Sequence, residues 1–203
     1  MDLDAFLQSW KEWFERLFPL LILLGLYIFR QIRTYTRAKH LKEVAPLING
    51  ELVIRPFSAP RIQGNYMGMP YRISFYGAGR AAPGRMQIRI DSPGLFSATL
   101  TPRAQQKGLE EIFSRGKVVP TGEESFNHAV LVRAEGNADK AMLYLDNPLN
   151  RRAILALLES GFVSIRFFEK GVHLTKFGDF LGSGASAADR IVGDLELAYK
   201  LLG

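Results

Sequence analysis

Cysteine is absent from the 203 residues, which excludes a disulfide framework, a thiolate metal site and a cysteine nucleophile. Histidine is scarce: His40, His128 and His173 are the only three, and none falls in a spacing that would build a zinc triad. No serine sits in a G-x-S-x-G elbow, so serine hydrolysis has no signature here. The chain has no internal repeat and no low-complexity tract. It also lacks the regular strand–helix alternation of a doubly wound sheet. Two glycine-rich stretches fall short of phosphate loops: Gly77-Ala78-Gly79-Arg80 leads into a strand, and Gly182-Ser183-Gly184-Ala185-Ser186 precedes a helix without the lysine of a Walker loop. No cofactor and no metal are indicated. Disorder is excluded too, because 47% of the residues are hydrophobic and 23% charged.

Long apolar runs are likewise missing, with one partial exception. Leu17 to Phe29 holds thirteen uncharged residues, whereas a bilayer core of ~30 Å takes about 20 helical residues. The flanks lengthen it: Trp10, Trp13 and Phe14 precede the block and Tyr27 and Phe29 close it, as in an aromatic belt, and Arg16 and Arg30 can snorkel. From Trp13 to Ile32 the helix would run ~30 Å. A cleaved signal peptide fits poorly, because the first sixteen residues carry four acids and Arg30-Gln31-Ile32-Arg33 follows the block. An interfacial helix should show a polar face, which Leu20 to Phe29 lacks. A buried core helix, with Pro19 in its first turn, is the remaining alternative.

The sequence therefore predicts a single transmembrane helix over 17–32. Its lipid-facing anchors are Trp13, Leu17, Leu20, Leu21, Leu24, Tyr27 and Phe29. Two basic residues, Lys11 and Arg16, precede it, and five, Arg30, Arg33, Arg37, Lys39 and Lys42, follow. Positive charge stays inside, so residues 1–16 are expected outside the inner (cytoplasmic) membrane and the rest in the cytoplasm. Residues 33–46 read as a basic helix continuing out of the membrane to Pro46, able to meet anionic headgroups.

Asn49-Gly50 is a turn signal, and residues 47–203 form the expected α+β domain. Alternating runs predict strands over 51–55, 71–76, 85–91, 95–100, 127–133, 163–168 and 172–176. Helices are expected over 104–115, from an Asn137 cap over 138–145, from Asn147-Pro148 through 151–160, and over 186–202. The fold class is α+β with a mainly antiparallel sheet and three or four helices.

Charge is unevenly spread. Residues 52–119 hold ten basic and three acidic residues, and 120–203 hold nine and eleven. Between Arg55 and Arg89 there are six arginines and no lysine, aspartate or glutamate, a bias toward the side chain that grips phosphate and carboxylate bidentately. With Tyr71, Ile73 and Phe75 inward, and Met86, Ile88 and Ile90 likewise, Arg72, Arg85 and Arg89 share an outer face with Tyr76 and Gln87. Lipid headgroups or an acidic partner subunit are the expected ligands of that face. Nucleic acid is a third candidate and the least expected, since only Tyr76 supplies an aromatic there.

Thr121-Gly122-Glu123-Glu124-Ser125-Phe126-Asn127, the strand ending at Leu131-Val132-Arg133 and the helices ADKAMLYL and NPLNRRAILALL resemble a loose group of uncharacterised bacterial proteins. That resemblance implies an N-terminal membrane helix ahead of a domain carrying T-G-acid-x-x-F-D before a strand, with no activity attached; Asn127 stands where the pattern has aspartate. Phe126 is expected as a core plug. The reading is a membrane-anchored accessory or scaffolding subunit that works by binding. The alternative is a membrane-tethered enzyme on an anionic or lipid substrate, with the arginine face as its clamp and His128 or His173 as base. A deep pocket joining those arginines to a histidine would favour the enzyme, and a flat basic sheet the binding role.

Overall fold

Along Arg85–Asp91 the side chains of Met86, Ile88 and Ile90 are fully buried while Arg85, Arg89 and Asp91 are exposed, the period of two that a strand covered on one face requires. The same alternation runs through Met69–Tyr76, with Tyr71, Ile73 and Phe75 inward. The computed structural model describes residues 3–55, 58–78, 83–94, 96–105, 116–178, 180 and 185–202. In chain order these form α1 (Leu3–Arg37), α2 (Leu41–Leu47), β1 (Gly50–Val53), β2 (Arg61–Tyr66), β3 (Met69–Tyr76), β4 (Arg85–Asp91) and β5 (Ala98–Pro102). A 3-10 turn (Arg103–Gln105), β6 (Lys117–Val118), α3 (Glu124–Ala129), β7 (Val130–Ala134), α4 (Ala138–Asp146), α5 (Pro148–Glu159), β8 (Phe162–Phe168), β9 (Gly171–Phe177) and α6 (Ala185–Tyr199) follow.

Among the described residues the strands make one antiparallel sheet in the order β1-β2-β3-β4-β9-β8-β5-β7-β6. The fold class is thus α+β, as its strand-rich, non-alternating sequence predicts. Helices α2, α5 and α6 cover one face, where Ile62, Phe75, Ile88, Leu100, Ile165 and Leu174 are fully buried against Leu41, Ile154, Leu157, Ile191 and Leu195. Each such side chain contributes roughly 1.5–3 kcal/mol by leaving water.

Polar groups stitch the two layers. The Tyr71 hydroxyl donates to the Ile48 carbonyl at 2.8 Å, tying the end of α2 to the sheet. Gly50 and Gly64 leave the room: a methyl at either would collide with that hydroxyl. Tyr199 donates to the Met69 carbonyl at 2.9 Å and Tyr144 to the Leu201 carbonyl at 2.6 Å. Burial pushes the Tyr199 phenol up to about 12 and raises Tyr71 and Tyr144 as well. Inside, Lys176 on β9 donates to both carboxylate oxygens of Asp194 on α6, at 2.8 and 2.7 Å, with its ammonium 5.3 Å from the Phe162 ring centroid.

The expected helix caps are present. Asn137 Oδ1 accepts from the Asp139 and Lys140 amides, and Asn147 Oδ1 from the Leu149 amide with Pro148 in the first turn. Gly161 follows α5 at φ +103°.

Several expectations need correction. Asn127, His128 and Ala129 are helical, not extended. Phe126 is fully buried, and Asn127 closes a clasp in which its Oδ1 accepts from the Thr121 amide and hydroxyl while its Nδ2 donates to the Thr121 carbonyl. The strand expected over 95–100 lies at Ala98–Pro102. Strand β2, Arg-Ile-Gln-Gly-Asn-Tyr, escapes hydropathy because Ile62 is its only fully buried apolar residue. Of the helix expected over 104–115, residues 106–115 lie outside the described ones.

The basic stalk over 33–46 is interrupted: α1 ends at Arg37, residues 38–40 turn, and α2 runs on through Pro46 to Leu47. The cause is spacing. Ala38, Leu41, Val44, Ala45 and Ile48 recur at helical intervals and are all buried, so this segment packs on β1 and α6. Pro19 lies well inside α1 rather than in a first turn. Finally, among the described residues no helix is long and apolar enough to cross a membrane, which leaves the expected span without support from the fold.

Candidate functional site: an arginine-lined sheet face and an exposed apolar helix

Strand register assembles the outer face. Arg72 on β3 pairs directly with Arg89 on β4, Arg89 with His173 on β9, and His173 with Arg166 on β8; Thr99 and Arg133 extend the row through β5 and β7. At ~4.8 Å per strand, Arg72 to Arg133 covers about 24 Å. The next row reads Arg61, Ser74, Gln87, Thr175 and Ser164, and a third Tyr76, Arg85 and Phe177. None of the described helices is seen to cover these rows: Arg72, Arg85, Arg89 and Arg166 are exposed, and Arg61 and Arg133 half-buried.

Like charges placed directly opposite across strands repel. Among the described residues only a little of that is answered internally. Asp91 Oδ1 accepts from Arg89 Nε at 2.8 Å, an exposed pair, and Arg85 lies 4.4 Å over the Tyr76 ring. The Nε atoms of Arg61 and Arg133 are buried without a hydrogen-bond partner among the described residues. His173 feels the surplus: its burial, then Arg166, Arg89 and Arg85, hold the imidazole below its ordinary range, which favours the uncharged ring.

Arg72, Arg85 and Arg89 thus sit together on the open side of the sheet. Sequence reasoning misses Arg166, Arg133 and His173 as members of the row, and Phe168 and Phe177 as further exposed aromatics of that face. Alternation within Phe162–Phe168 could have flagged Arg166, between inward Ile165 and Phe167; the alignment with Arg89 depends on pairing across some eighty residues of chain.

The two histidines do not meet. His128 is exposed on α3 with Nε2 3.5 Å from Glu124 Oε1, whereas His173 lies on β9, with β8 and β5 between its strand and β7. A recess of about 530 Å³ opens beside the row, lined by Asn49, Glu51, Gln63, Arg72, Arg89 and Asp91 among others; it carries both signs of charge and no histidine. Among the described residues no group of three or more His, Asp or Glu is arranged to hold a metal. The Thr121–Asn127 segment is structural. Besides its clasp, Glu123 accepts from Arg151 Nε at 2.7 Å, while Arg151 Nη1 donates to the carbonyls of Leu145 and Asp146 at the end of α4. Of the two glycine-rich loops, residues 79–82 and 181–184 lie outside the described ones.

The second feature is α1. Trp13, Leu17, Leu20, Leu21, Leu24 and Phe29 are exposed by between 43 and 64%, as are Phe14, Phe18, Ile22, Leu23, Leu26 and Ile28, with Tyr27 half-buried. Exposure of five consecutive apolar residues, Leu20 to Leu24, means that this stretch of the helix is open on every side. Arg30, Arg33 and Arg37 lie on α1 with side chains outside the described set; Lys39 is exposed in the 38–40 turn, and Lys42 on α2 donates to the Tyr35 hydroxyl at 3.3 Å.

Searches against protein-family models, curated proteins and solved structures find no match for this chain.

Proposed function

We propose that this protein is a membrane-anchored binding protein, an accessory or scaffolding subunit of a larger membrane assembly, held by α1 and presenting its arginine row to an acidic partner. The observation that carries the reading is the exposure of the Leu, Ile and Phe residues from Leu17 to Phe29 on every side of α1, the longest run of exposed apolar side chains among the described residues. Ten of those thirteen are Leu, Ile or Phe, and at about 0.3–0.6 kcal/mol each their transfer into lipid gains roughly 3–6 kcal/mol. The uncharged block covers ~20 Å of a ~30 Å hydrocarbon core, so a span requires Arg16 and Arg30 to snorkel. The basic flank after the block orients the domain toward the cytoplasm. The open sheet face, whose recess contains no histidine, supports binding rather than catalysis.

The test is alkaline-carbonate extraction of the full chain from bacterial membranes, with a reporter at Gly203 and mild-detergent purification with identification of co-purifying proteins. Retention in the carbonate-resistant fraction, an interior reporter and an acidic membrane partner lost in Arg89→Ser/Arg166→Ser are expected. Release by carbonate overturns the anchor, and recovery as a lone monomer overturns the subunit reading. Co-purifying nucleic acid whose binding falls steeply with salt would replace the acidic protein as ligand.

A further inference from the structure

The root of α1 is fixed to one particular end of the sheet. Ala38 is fully buried, and His40 Nε2 lies 3.0 Å from the carbonyl oxygen of Phe180, three residues beyond the end of β9. At that same end the Gly178 amide donates to the Gly84 carbonyl at 2.8 Å, joining the chain after β9 to the chain before β4. The outermost row of the sheet there is Tyr76, Arg85 and Phe177, side by side on β3, β4 and β9. All three are exposed, Phe177 by 50%. Lys39 and Lys42 stand exposed beside the root. An aromatic pair with a cation between them, and two further cations nearby, is the composition that settles at the headgroup level of a bilayer.

Length makes the contact close. From Phe29 to Arg37 the helix climbs eight residues, about 12 Å, and Ala38 stands one step beyond. A block of ~20 Å in a ~30 Å core leaves a mismatch of about 5 Å at each boundary, which draws the root inward to about 8 Å from the hydrocarbon, the outer margin of a headgroup layer some 5–8 Å deep.

We propose that the Tyr76–Arg85–Phe177 end of the sheet rests on the phosphate layer of the anionic bilayer that holds α1, so that the strands rise from the membrane and the Arg72–Arg89–His173–Arg166 row faces sideways. This rests on the membrane-anchor reading of α1. The opposite end of β3 supplies an internal control: Met67, in the turn between β2 and β3, is 77% exposed and stands about 25 Å away along the strand.

The absence of cysteine permits single-cysteine labelling of the full chain at Leu23→Cys, Phe177→Cys or Met67→Cys, all exposed positions. Each variant is labelled with a small environment-sensitive fluorophore and reconstituted in mixed phosphatidylcholine and phosphatidylglycerol vesicles carrying a nitroxide on either acyl chain or headgroup. Expected are strong acyl-chain quenching at position 23, headgroup quenching at 177 severalfold above that at 67, and weaker quenching at 177 when Arg85→Ser is added or phosphatidylglycerol is omitted. No acyl-chain quenching at 23 overturns the anchor itself. Quenching at 23 with position 177 indistinguishable from 67 overturns this proposal and leaves the anchor standing.

Discussion

The same strands make both faces of the sheet, residue by residue, and treat charge in opposite ways. Among the described residues the covered face holds the ion pair of Lys176 with Asp194, in which both carboxylate oxygens meet the ammonium. The open face holds Arg72, Arg89 and Arg166 in one row around His173, with Asp91 the close counter-ion seen. Inside, desolvation is the dominant cost: it holds the Asp194 carboxyl above its ordinary range in spite of Lys176. Outside, water screens the repulsion, and the row can persist uncompensated until an anion arrives. Charge on the covered face therefore serves packing, whereas charge on the open face is available for recognition.

Substitutions break this contrast in a graded way. The largest effect belongs to Asp194→Ala, which strands the Lys176 ammonium in the core and should cost about 3–5 kcal/mol in denaturant unfolding. The paired replacement Lys176→Met/Asp194→Leu should fall near wild type, and an equal loss in the pair would mean that the ion pair itself stabilises the fold. Next is Asn127→Asp, which removes the donor to the Thr121 carbonyl and should cost about 1–3 kcal/mol by the same measurement; an unchanged midpoint would show that the clasp is not structural. On the open face, Arg166→Ser should leave stability within about 0.5 kcal/mol of wild type, since its direct cross-strand neighbours are Thr99 and His173 and its side chain is exposed, while it should weaken capture of the proposed acidic partner. A destabilised Arg166→Ser would assign that side chain to packing.

The smallest effect is a slope. His173 is depressed below its usual 6.5 in the folded state, so its contribution is complete above that value and is lost as pH falls, because the unfolded chain takes up the proton first. Stability should decline below pH 6.5 more steeply in wild type than in His173→Gln. Identical slopes would mean that neither burial nor the flanking Arg166 and Arg89 depresses the imidazole.

Much of the fold was legible because it follows from local spacing. Strands β3 and β4 announce themselves by alternation, and Asn137, Asn147 and Gly161 mark the helix ends they occupy. Arg72, Arg85 and Arg89 were legible for the same reason. Strand β2, nearly without buried apolar residues, and the two-residue β6 carry too little periodicity to read, and their partners supply what their own sequences lack. His173 and Arg166 enter the row only through the pairing of β4 with β9, a non-local event. The turn at 38–40 was hidden in a stretch free of proline and glycine, because tertiary burial of Ala38 and Leu41, rather than a helix breaker, redirects the chain.

The position of β9 has a consequence for synthesis. It lies in the middle of the sheet, between β4 and β8, yet it is the last of the nine described strands to be made. Until about residue 177 leaves the ribosome, β4 lacks the strand that will cover its outer edge, and β8, already paired with β5, lacks the one that joins it to β4. The N-terminal helix has by then long since emerged, so the nascent domain must wait, half-built and sticky, until the seam at its centre closes. A chain stopped before β9 would lose the join between its two halves, not merely a border strand.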